Sequence, residues 1–330
     1  MIFSKAPLRV SFLGGGTDTK EFIESHTYGC VLGTTIDRFV YVFVDDQPSF
    51  EQSKFKFAYR KVEEVNLPRQ FKHPIVREML VDLKISDPLN IATMANLPGR
   101  SGLGSSSAFT VALYSALLKR VGMVKEPELI AEYAIRCERI LAQESGGFQD
   151  QYHSAVGGFR FYRFGQDGIK YSPHLIGEKV AEFMNQSMVL VATLGRRDSS
   201  FHSEALKKSL QRRELTASAL EMRDICNDIS ARIEKLSNPE KILALLIEGT
   251  NEGWFRKQRQ ISNIDSEVEQ IIKIGMNKGA QAAKLCGAGG SGFVLFLCDP
   301  ERANEVRKAF AQTQVVVPKI VDYGAIAYEI

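Results

Sequence analysis

The spacing of hydrophobic residues along the chain predicts a mixture of strands and helices. Alternating or continuous apolar residues predict strands, at 8–13, 31–46, 53–59, 89–94 and 187–194. Apolar residues that repeat at steps of three and four predict helices, at 73–83, 108–120 (an amphipathic one), 127–142 and most of 201–278. From residue 282 the pattern alternates strand, glycine loop, strand, helix and strand. We therefore predict an α+β protein with two domains, at 1–186 and 187–330.

Composition narrows the classes of protein to consider. With 330 residues, 44% of them hydrophobic, the chain can bury a large core. Lys and Arg number 42 against 39 Asp and Glu, without a long basic cluster, so we expect no nucleic-acid partner. No apolar run is long enough to cross a bilayer and no signal peptide is visible, so we expect no membrane partner. Five widely spread cysteines fit a reducing cytoplasm better than a disulfide framework or a zinc site. The oligomeric state is not indicated.

A loop rich in glycine and serine, at 98–107, precedes the helix predicted at 108–120. Glycines let the backbone approach an anion, and the first turn of a helix offers free N–H groups and a favourable dipole. Serine hydroxyls add donors, and one can reach a Mg²⁺ ion on the phosphates. The loop lacks the Gly-Lys of a Walker motif and the third glycine of a dinucleotide fingerprint, which excludes a nicotinamide oxidoreductase. A helix cap made by the serines is the alternative, and both interpretations stay open.

Two further glycine loops lie near the ends of the chain. Residues 14–18 follow the first strand, and Asp18 can either face a ligand hydroxyl or cap a helix over Lys20–Glu24. The loop at 284–292 has four glycines in its last six positions, between two apolar strands. That is more than a hairpin turn needs, so we expect a rigid loop that faces a ligand, with a flexible link as the alternative.

Three charged residues are candidates for chemistry. Glu138 borders the apolar stripe of its predicted helix, where an unpaired charge is costly, and an ion pair with Arg136 or Arg139 is an alternative. Asp150 follows a pair of glycines, and capping of the following helix is its simplest explanation. Arg9 lies on the first strand and would ordinarily be solvated. Each residue is weak evidence alone, and their combination with the three loops favours a site.

Taken in order, the three loops resemble the three signatures of the GHMP kinase superfamily, which includes galactokinase, homoserine kinase, mevalonate kinase and phosphomevalonate kinase. Residues 6–18 are similar to motif one, 97–108 to motif two and 284–292 to motif three, with Ser291 where a glycine is frequent. The resemblance spans nearly the whole chain. It implies a two-domain GHMP kinase fold, with a ribosomal protein S5 domain 2-like N-terminal domain, a ferredoxin-like C-terminal domain and the active site between them.

The resemblance also implies roles for individual residues. Asp150 would be the base, Arg9 the basic residue beside it, and Ser106 and Glu138 the ligands of Mg²⁺. ATP would lie on motif two, at Pro98, Gly102, Leu103, Gly104, Ser105, Ser106 and Ser107. The acceptor would contact motifs one and three, at Gly15, Gly16, Thr17, Asp18, Gly287, Gly289 and Gly290. Phosphoryl transfer needs alignment and charge neutralisation, which such a set of residues would supply.

The resemblance is more specific at the acceptor. Galactokinase-like sequences carry Glu-His where this chain has Gly15 and Gly16, which counts against galactose. Motif one and the segment 194–200 look most like the kinases of D-glycero-alpha-D-manno-heptose 7-phosphate, which implies phosphorylation of the anomeric hydroxyl to a 1,7-bisphosphate. Arg196 and Arg197 would suit the substrate phosphate, with a solvated pair opening a helix as the alternative. A fucokinase-like or other small-molecule kinase stays open as a second hypothesis, and a non-catalytic sugar sensor as a third.

Overall fold

The computed structural model describes residues 1–99, 101–193, 213–260, 264–287, 292–310 and 315–330. The strands are β1 (Ile2–Leu13), β2 (Tyr28–Asp46), β3 (Phe55–Ala58), β4 (Val62–Val65), β5 (Leu89–Ala95), β6 (Phe159–Gly165), β7 (Gly168–Tyr171), β8 (Met188–Ala192), β9 (Ala282–Leu285), β10 (Phe293–Leu297), β11 (Val315–Val316), β12 (Ile320–Val321) and β13 (Ile326–Glu329). The α-helices are α1 (Lys20–His26), α2 (Pro74–Asp82), α3 (Ser105–Arg120), α4 (Pro127–Ile135), α5 (Gln149–Val156), α6 (Glu178–Ser187), α7 (Arg213–Ile233), α8 (Pro239–Gln260), α9 (Ser266–Asn277) and α10 (Pro300–Lys308). A 3₁₀ turn lies at Pro68–Gln70, and a π-helical turn at Arg136–Leu141 continues α4.

The first sheet is built around the long antiparallel strands β1 and β2. Its order is β13-β1-β2-β5-β3-β4, with β6 and β12 paired to β2, and β7 to β6. The 19 residues of β2 change neighbour along their length, because 28–34 pair with β6 whereas 40–46 pair with β5. Ser11 of β1 therefore lies opposite Gly33, while Phe159 of β6 lies opposite Thr34. Motif one and the segment that leads into β6 are thus brought to the same end of the sheet.

The second sheet has four antiparallel strands in the order β11-β8-β10-β9. The four strands belong to a βαββαβ unit: α7 to α9 connect its first two strands, β8 and β9, and α10 connects its last two, β10 and β11. Numbered along the chain, the strands lie in the sheet in the order 4-1-3-2, which is the ferredoxin-like arrangement. A separate core that includes Val189, Trp254 and Phe296 packs on this sheet. The hairpin between β9 and β10 carries motif three.

The chain returns to the first sheet at its end. The last strand that the alternating pattern after residue 282 predicts is two short strands, and β12 pairs with β2 whereas β13 pairs with β1. The division into 1–186 and 187–330 stays a prediction, and the strand pairing adds that 320–329 belongs with the first sheet.

Helix α3 is buried on all sides. Every residue from Ser107 to Leu118 is buried, because the helix lies between β1 and β2 on one side and α4 and α5 on the other. The prediction of an amphipathic helix was wrong for this reason. The helix predicted at 127–142 also differs, because it changes to π-helical geometry at Arg136. No described helix is long and apolar enough to cross a membrane.

Candidate active site

Arg9 and Asp150 form a partly buried ion pair where the loops meet. Nε and Nη2 of Arg9, on β1, both bind Oδ1 of Asp150, 141 residues later, at 2.8 and 2.7 Å. Nη1 donates to the carbonyl oxygen of Gly102 at 2.7 Å. The Arg9 side chain is only 5% exposed, so the alternative of a solvated arginine is wrong. The alternative of a capping Asp150 is also wrong, since Phe148 holds the N-cap position of α5 and Asp150 lies in the first turn.

Motif two leads directly into α3. The N-cap is Gly104, in the left-handed conformation with φ 79° and without a side-chain cap, so the alternative of a serine cap is wrong. The N–H groups of the first turn therefore have no capping side chain and can bind an anion. Gly104 also lies against the ion pair, because a Cβ placed there would be 3.3 Å from Oδ2 of Asp150 and from Cγ of Arg9. The Asp150 carboxylate is thus beside the N-terminus of α3.

The other predicted nucleotide residues differ in exposure. Pro98 and Ser106 are exposed, Ser105 is half-buried and Leu103 is buried. The carbonyl oxygen of Leu103 accepts from the backbone N–H of Arg9 at 3.0 Å, which fixes the loop to β1. Motif two is therefore anchored on one side and open on the other.

Glu138 lies in the π-helical turn and is 1% exposed. Its Oε2 accepts hydrogen bonds from the Ser107 hydroxyl and the Gln151 side-chain amide, both at 2.9 Å. It also pairs with Nη1 of Arg139 at 3.2 Å, so the ion pair that the sequence left open is formed with Arg139. Arg136 instead pairs with Asp82. Since π-turns inside helices occur frequently at functional sites, this local distortion supports a role for Glu138.

The second oxygen of Glu138 is suited to a cation. Oε1 is buried and has no partner at ordinary hydrogen-bond geometry among the described residues, although the Thr110 hydroxyl is near enough to lower the pKa of the carboxyl. Burial raises the pKa of this carboxyl, against a lowering effect of Arg139. A Mg²⁺ ion is typically held by one or two carboxylates together with phosphate oxygens, so the site fits it. Ser106 lies in the first turn of α3, whereas the hydroxyl bonded to Glu138 is that of Ser107; the pairing of Ser106 with Glu138 around a metal stays a prediction.

Asp18 joins motif one to the segment that carries Asp150. The alternative of a helix cap is wrong, because Thr19 is the N-cap of α1. Asp18 accepts from the backbone N–H and the side-chain amide of Gln149, at 3.0 and 3.2 Å, and from the N–H of Gly16 at 3.2 Å. Burial raises the pKa of Asp18, against a lowering effect of the Gln149 hydrogen bond. The structure thus gives Asp18 a positioning contact one residue from Asp150, and its contact with a sugar hydroxyl stays a prediction.

The remaining residues of motif one shape the turn. The Thr17 hydroxyl donates to the carbonyl oxygen of Gly14 at 2.8 Å and accepts from the N–H of Cys30 at 3.0 Å. Gly15 and Gly16 are half-buried, and Gly15 lies near Gln149. Contact of these residues with an acceptor stays a prediction.

Motif three packs against motif two, backbone to backbone. A Cβ on Gly102 would lie 2.5 Å from the carbonyl oxygen of Cys286, and one on Gly287 would lie 2.7 Å from Cα of Gly102. The loop from the second sheet therefore packs directly on motif two. The predicted residues Gly289, Gly290 and Arg196, together with Arg197, lie outside the described residues.

Four residues of this region were missed by the sequence analysis: Gln149, Gln151, Lys257 and Lys284. Lys257 carried a usable signal, because it continues the buried positions Thr250 and Trp254 on α8 at helical spacing. A lysine in such a stripe is unusual for a purely structural position. Gln149 and Gln151 carried no such signal in the sequence, because their role depends on the carboxylates that they contact, those of Asp18 and Glu138.

Two family profiles match the chain. That of the GHMP kinases N terminal domain matches residues 69–158, and that of the GHMP kinases C terminal matches residues 235–315, which together is about half of the chain. The chain belongs to the GHMP kinases. It is therefore an ATP-dependent kinase, as the motifs predict, and the predicted two-domain fold is confirmed.

Individual relatives agree with this assignment. The D-glycero-alpha-D-manno-heptose 7-phosphate kinase of Campylobacter jejuni is 28% identical over 95% of this chain and 94% of its own length. The bifunctional fucokinase/GDP-fucose pyrophosphorylase of Arabidopsis thaliana is 28% identical over 92% of this chain, but over 30% of that longer protein. The solved structure of a D-glycero-D-manno-heptose 1-phosphate kinase from Bacteriodes thetaiotaomicron superposes with a TM-score of 0.77 over 100% of this chain and 99% of that one, at 22% identity. At that identity the likeness supports the fold alone.

Proposed function

We propose that this kinase transfers the γ-phosphoryl group of ATP to the anomeric hydroxyl of a sugar phosphate, D-glycero-D-manno-heptose 7-phosphate, to give the 1,7-bisphosphate in the cytoplasm. The name of the Campylobacter jejuni relative supports the acceptor. The name of the solved neighbour specifies a heptose 1-phosphate kinase, so the position that is phosphorylated forms part of the test. The observation that carries the proposal is the Asp150 carboxylate, held by Arg9 beside the N-terminus of α3.

Asp150 has the geometry of a general base. Both hydrogen bonds from Arg9 go to Oδ1 of Asp150, which leaves Oδ2 beside Gly104 of motif two, at the N-terminus of α3. Oδ2 would take the proton of the acceptor hydroxyl while the hydroxyl oxygen forms a bond to the γ-phosphorus of ATP. The bond between the γ-phosphorus and the oxygen that bridges it to the β-phosphate would break, which releases ADP. Arg9 would hold the carboxylate in place and offset negative charge that develops near it.

The chain's other residues would hold the triphosphate and the metal. The N–H groups at the start of α3 would bind phosphate oxygens. Glu138 and Ser106 would hold Mg²⁺, which neutralises the phosphates and orients them. The proposed contacts of the acceptor remain Gly15, Gly16, Thr17, Asp18 and Gly287, together with Gly289, Gly290 and Arg196 outside the described residues.

Coupled ADP release with Mg-ATP tests the proposal across heptose 7-phosphate, sedoheptulose 7-phosphate, fucose, galactose and mevalonate. We expect turnover with heptose 7-phosphate and a fall of roughly 10²- to 10⁴-fold in kcat for Asp150→Asn. Asp167→Asn, which alters an exposed ion pair on the β6–β7 hairpin, is the matched control and should keep full activity. Product analysis by phosphorus NMR then identifies the hydroxyl that was phosphorylated.

Different outcomes would lead to different conclusions. Turnover with fucose alone would favour the fucokinase-like activity that the Arabidopsis thaliana relative suggests. Tight ATP binding without turnover of any acceptor would favour a sugar sensor. Full activity of Asp150→Asn would exclude this carboxylate as the base.

A further inference from the structure

The two glutamines that flank Asp150 on α5 contact different carboxylates. The side-chain amide of Gln149 donates to Asp18 at 3.2 Å, whereas that of Gln151 donates to Oε2 of Glu138 at 2.9 Å. Gln151 is fully buried, and Gln149 is 9% exposed. Of the two neighbours of the proposed base, one therefore contacts motif one and the other contacts the predicted metal ligand.

Three side chains bind the same oxygen of Glu138. The Ser107 hydroxyl and the Gln151 amide each donate to Oε2 at 2.9 Å, and Nη1 of Arg139 lies 3.2 Å from it. Oε1 has no partner at ordinary hydrogen-bond geometry among the described residues. Hydrogen bonds to one oxygen of a metal-binding carboxylate fix its orientation, which leaves the second oxygen for the metal ion.

Gln151 belongs to a helix that is fixed to the first sheet. The Ser154 hydroxyl donates to the carbonyl oxygen of Pro7 on β1 at 2.9 Å, and Asp150 is bound to the same strand through its ion pair. Glu138, in contrast, lies in the π-helical turn that follows α4. The Gln151 amide therefore joins this turn to a helix anchored on β1, and it relates the position of Glu138 to that of Asp150.

The amide oxygen of Gln151 indicates that stability alone does not explain a glutamine here. Because a carboxylate only accepts hydrogen bonds, the amide NH₂ group must face Glu138. Oε1 of Gln151 is then buried without a hydrogen-bond partner within the described part of the chain. An unpaired buried oxygen costs free energy, and an apolar side chain of similar length would avoid that cost. What the glutamine adds is its contact with Glu138.

We propose that Gln151 is a positioning residue whose amide holds Glu138 in the orientation that binds Mg²⁺. This rests on the proposed function, in which Glu138 is a ligand of Mg²⁺, and extends it by naming the side chain that orients the ligand. Phosphoryl transfer depends on the alignment of the metal-bound phosphates with the acceptor. A residue next to Asp150 that also holds Glu138 keeps the metal and the base in a fixed relation.

The test compares Gln151→Met with Gln149→Met. Each variant removes one buried amide from the first turn of α5 and keeps a side chain of similar length, so a general loosening of the helix would affect both. The Mg²⁺ concentration for half-maximal rate should rise about tenfold in Gln151→Met and stay within about twofold of the wild type in Gln149→Met. Excess Mg²⁺ should restore most of the rate of Gln151→Met. It should not restore that of Gln149→Met, which loses a contact with Asp18 instead.

A second measurement needs no turnover. Mn²⁺, which binds to the same oxygen ligands, is titrated into protein that holds one equivalent of ADP, and the free ion is measured by electron paramagnetic resonance. Mn²⁺ should bind about tenfold more weakly to Gln151→Met than to Gln149→Met. Equal binding by the two variants, or an equal dependence of their rates on Mg²⁺, would overturn the proposal. Thermal melting checks that both variants are folded, and Gln151→Leu takes the place of Gln151→Met if that variant is not.

Glu138→Gln in the same Mn²⁺ titration separates this proposal from the proposed function. If Glu138→Gln binds Mn²⁺ as tightly as the wild type, Glu138 is not a ligand and the positioning role fails with it. If Glu138→Gln binds weakly but Gln151→Met binds as Gln149→Met does, only the role of Gln151 fails. If Gln151→Met binds weakly but heptose 7-phosphate is not a substrate, the proposed acceptor fails while the role of Gln151 stands.

Discussion

Gly102→Ala tests whether the contact between motifs two and three is needed for catalysis. Gly102 has φ 74°, a left-handed conformation that costs an L-residue about 1 to 2 kcal/mol. A Cβ there would also lie 2.5 Å from the carbonyl oxygen of Cys286 and 2.9 Å from its carbon. Because ordinary contacts are about 3.5 Å, the two loops would have to separate by about 1 Å.

Gly122→Ala separates the two effects. Gly122 has φ 70°, but a Cβ there would meet nothing within 4 Å. The left-handed backbone should therefore cost each variant about 1 to 2 kcal/mol of stability, and Gly102→Ala should lose more because its loops must also separate. Only Gly102→Ala should also move the phosphate loop, and a misplacement of about 1 Å near the chemistry can cost about 100-fold in rate.

Coupled ADP release and thermal melting, run side by side, measure the two effects. The expected result is a fall in Tm for both variants, larger for Gly102→Ala, and a fall of about 100-fold in kcat/KM for Gly102→Ala alone. Equal activity of the two variants would show that the loops tolerate the separation, and that their close approach is not part of the active geometry.

Three further predictions follow from the same contacts. Glu138→Gln should raise the Mg²⁺ concentration for half-maximal rate at least tenfold, because a neutral amide is a weaker ligand for Mg²⁺, and it should also lower the metal-free Tm, because the buried ion pair with Arg139 is lost; an unchanged Mg²⁺ dependence would exclude Glu138 as a ligand. Asp18→Asn should lower kcat by roughly 10- to 100-fold through misplacement of Asp150, whereas a rise in acceptor KM alone would indicate direct sugar contact. The pKa values of Lys257 and Lys284 are about 8 and about 7, below the ordinary lysine value of 10.5. Between the lowered values and 10.5 the unfolded chain therefore binds more protons than the folded one, so the free energy of unfolding should rise from pH 7 to 10. Lys257→Met should flatten that rise in Tm, and an unchanged slope would contradict it.

Much of the local structure followed from the sequence because it depends on neighbouring residues. Alternation and helical spacing located most elements to within a few residues, since these patterns reflect which side of each element is buried. The glycine loops were informative because few residue types tolerate a close backbone approach, and Gly102 and Gly287 do meet backbone to backbone. Motif order along the chain was therefore enough to predict the family.

The partners of the charged residues were decided only by the tertiary structure. The pairing of Arg9 with Asp150 spans 141 residues, and the return of β13 to β1 joins the two ends of the chain. The spacing of apolar residues in α3 indicated one buried face, which is why an amphipathic helix was predicted. The burial of its opposite face depends on α4 and α5, which pack on that side in the tertiary structure. In the sequence Lys257 is a lysine within a buried stripe, but only the packing of α8 and β9 against motif one places it in one pocket with Lys284. The sequence determined which chemical groups the kinase has, and long-range packing determined which of them share a site.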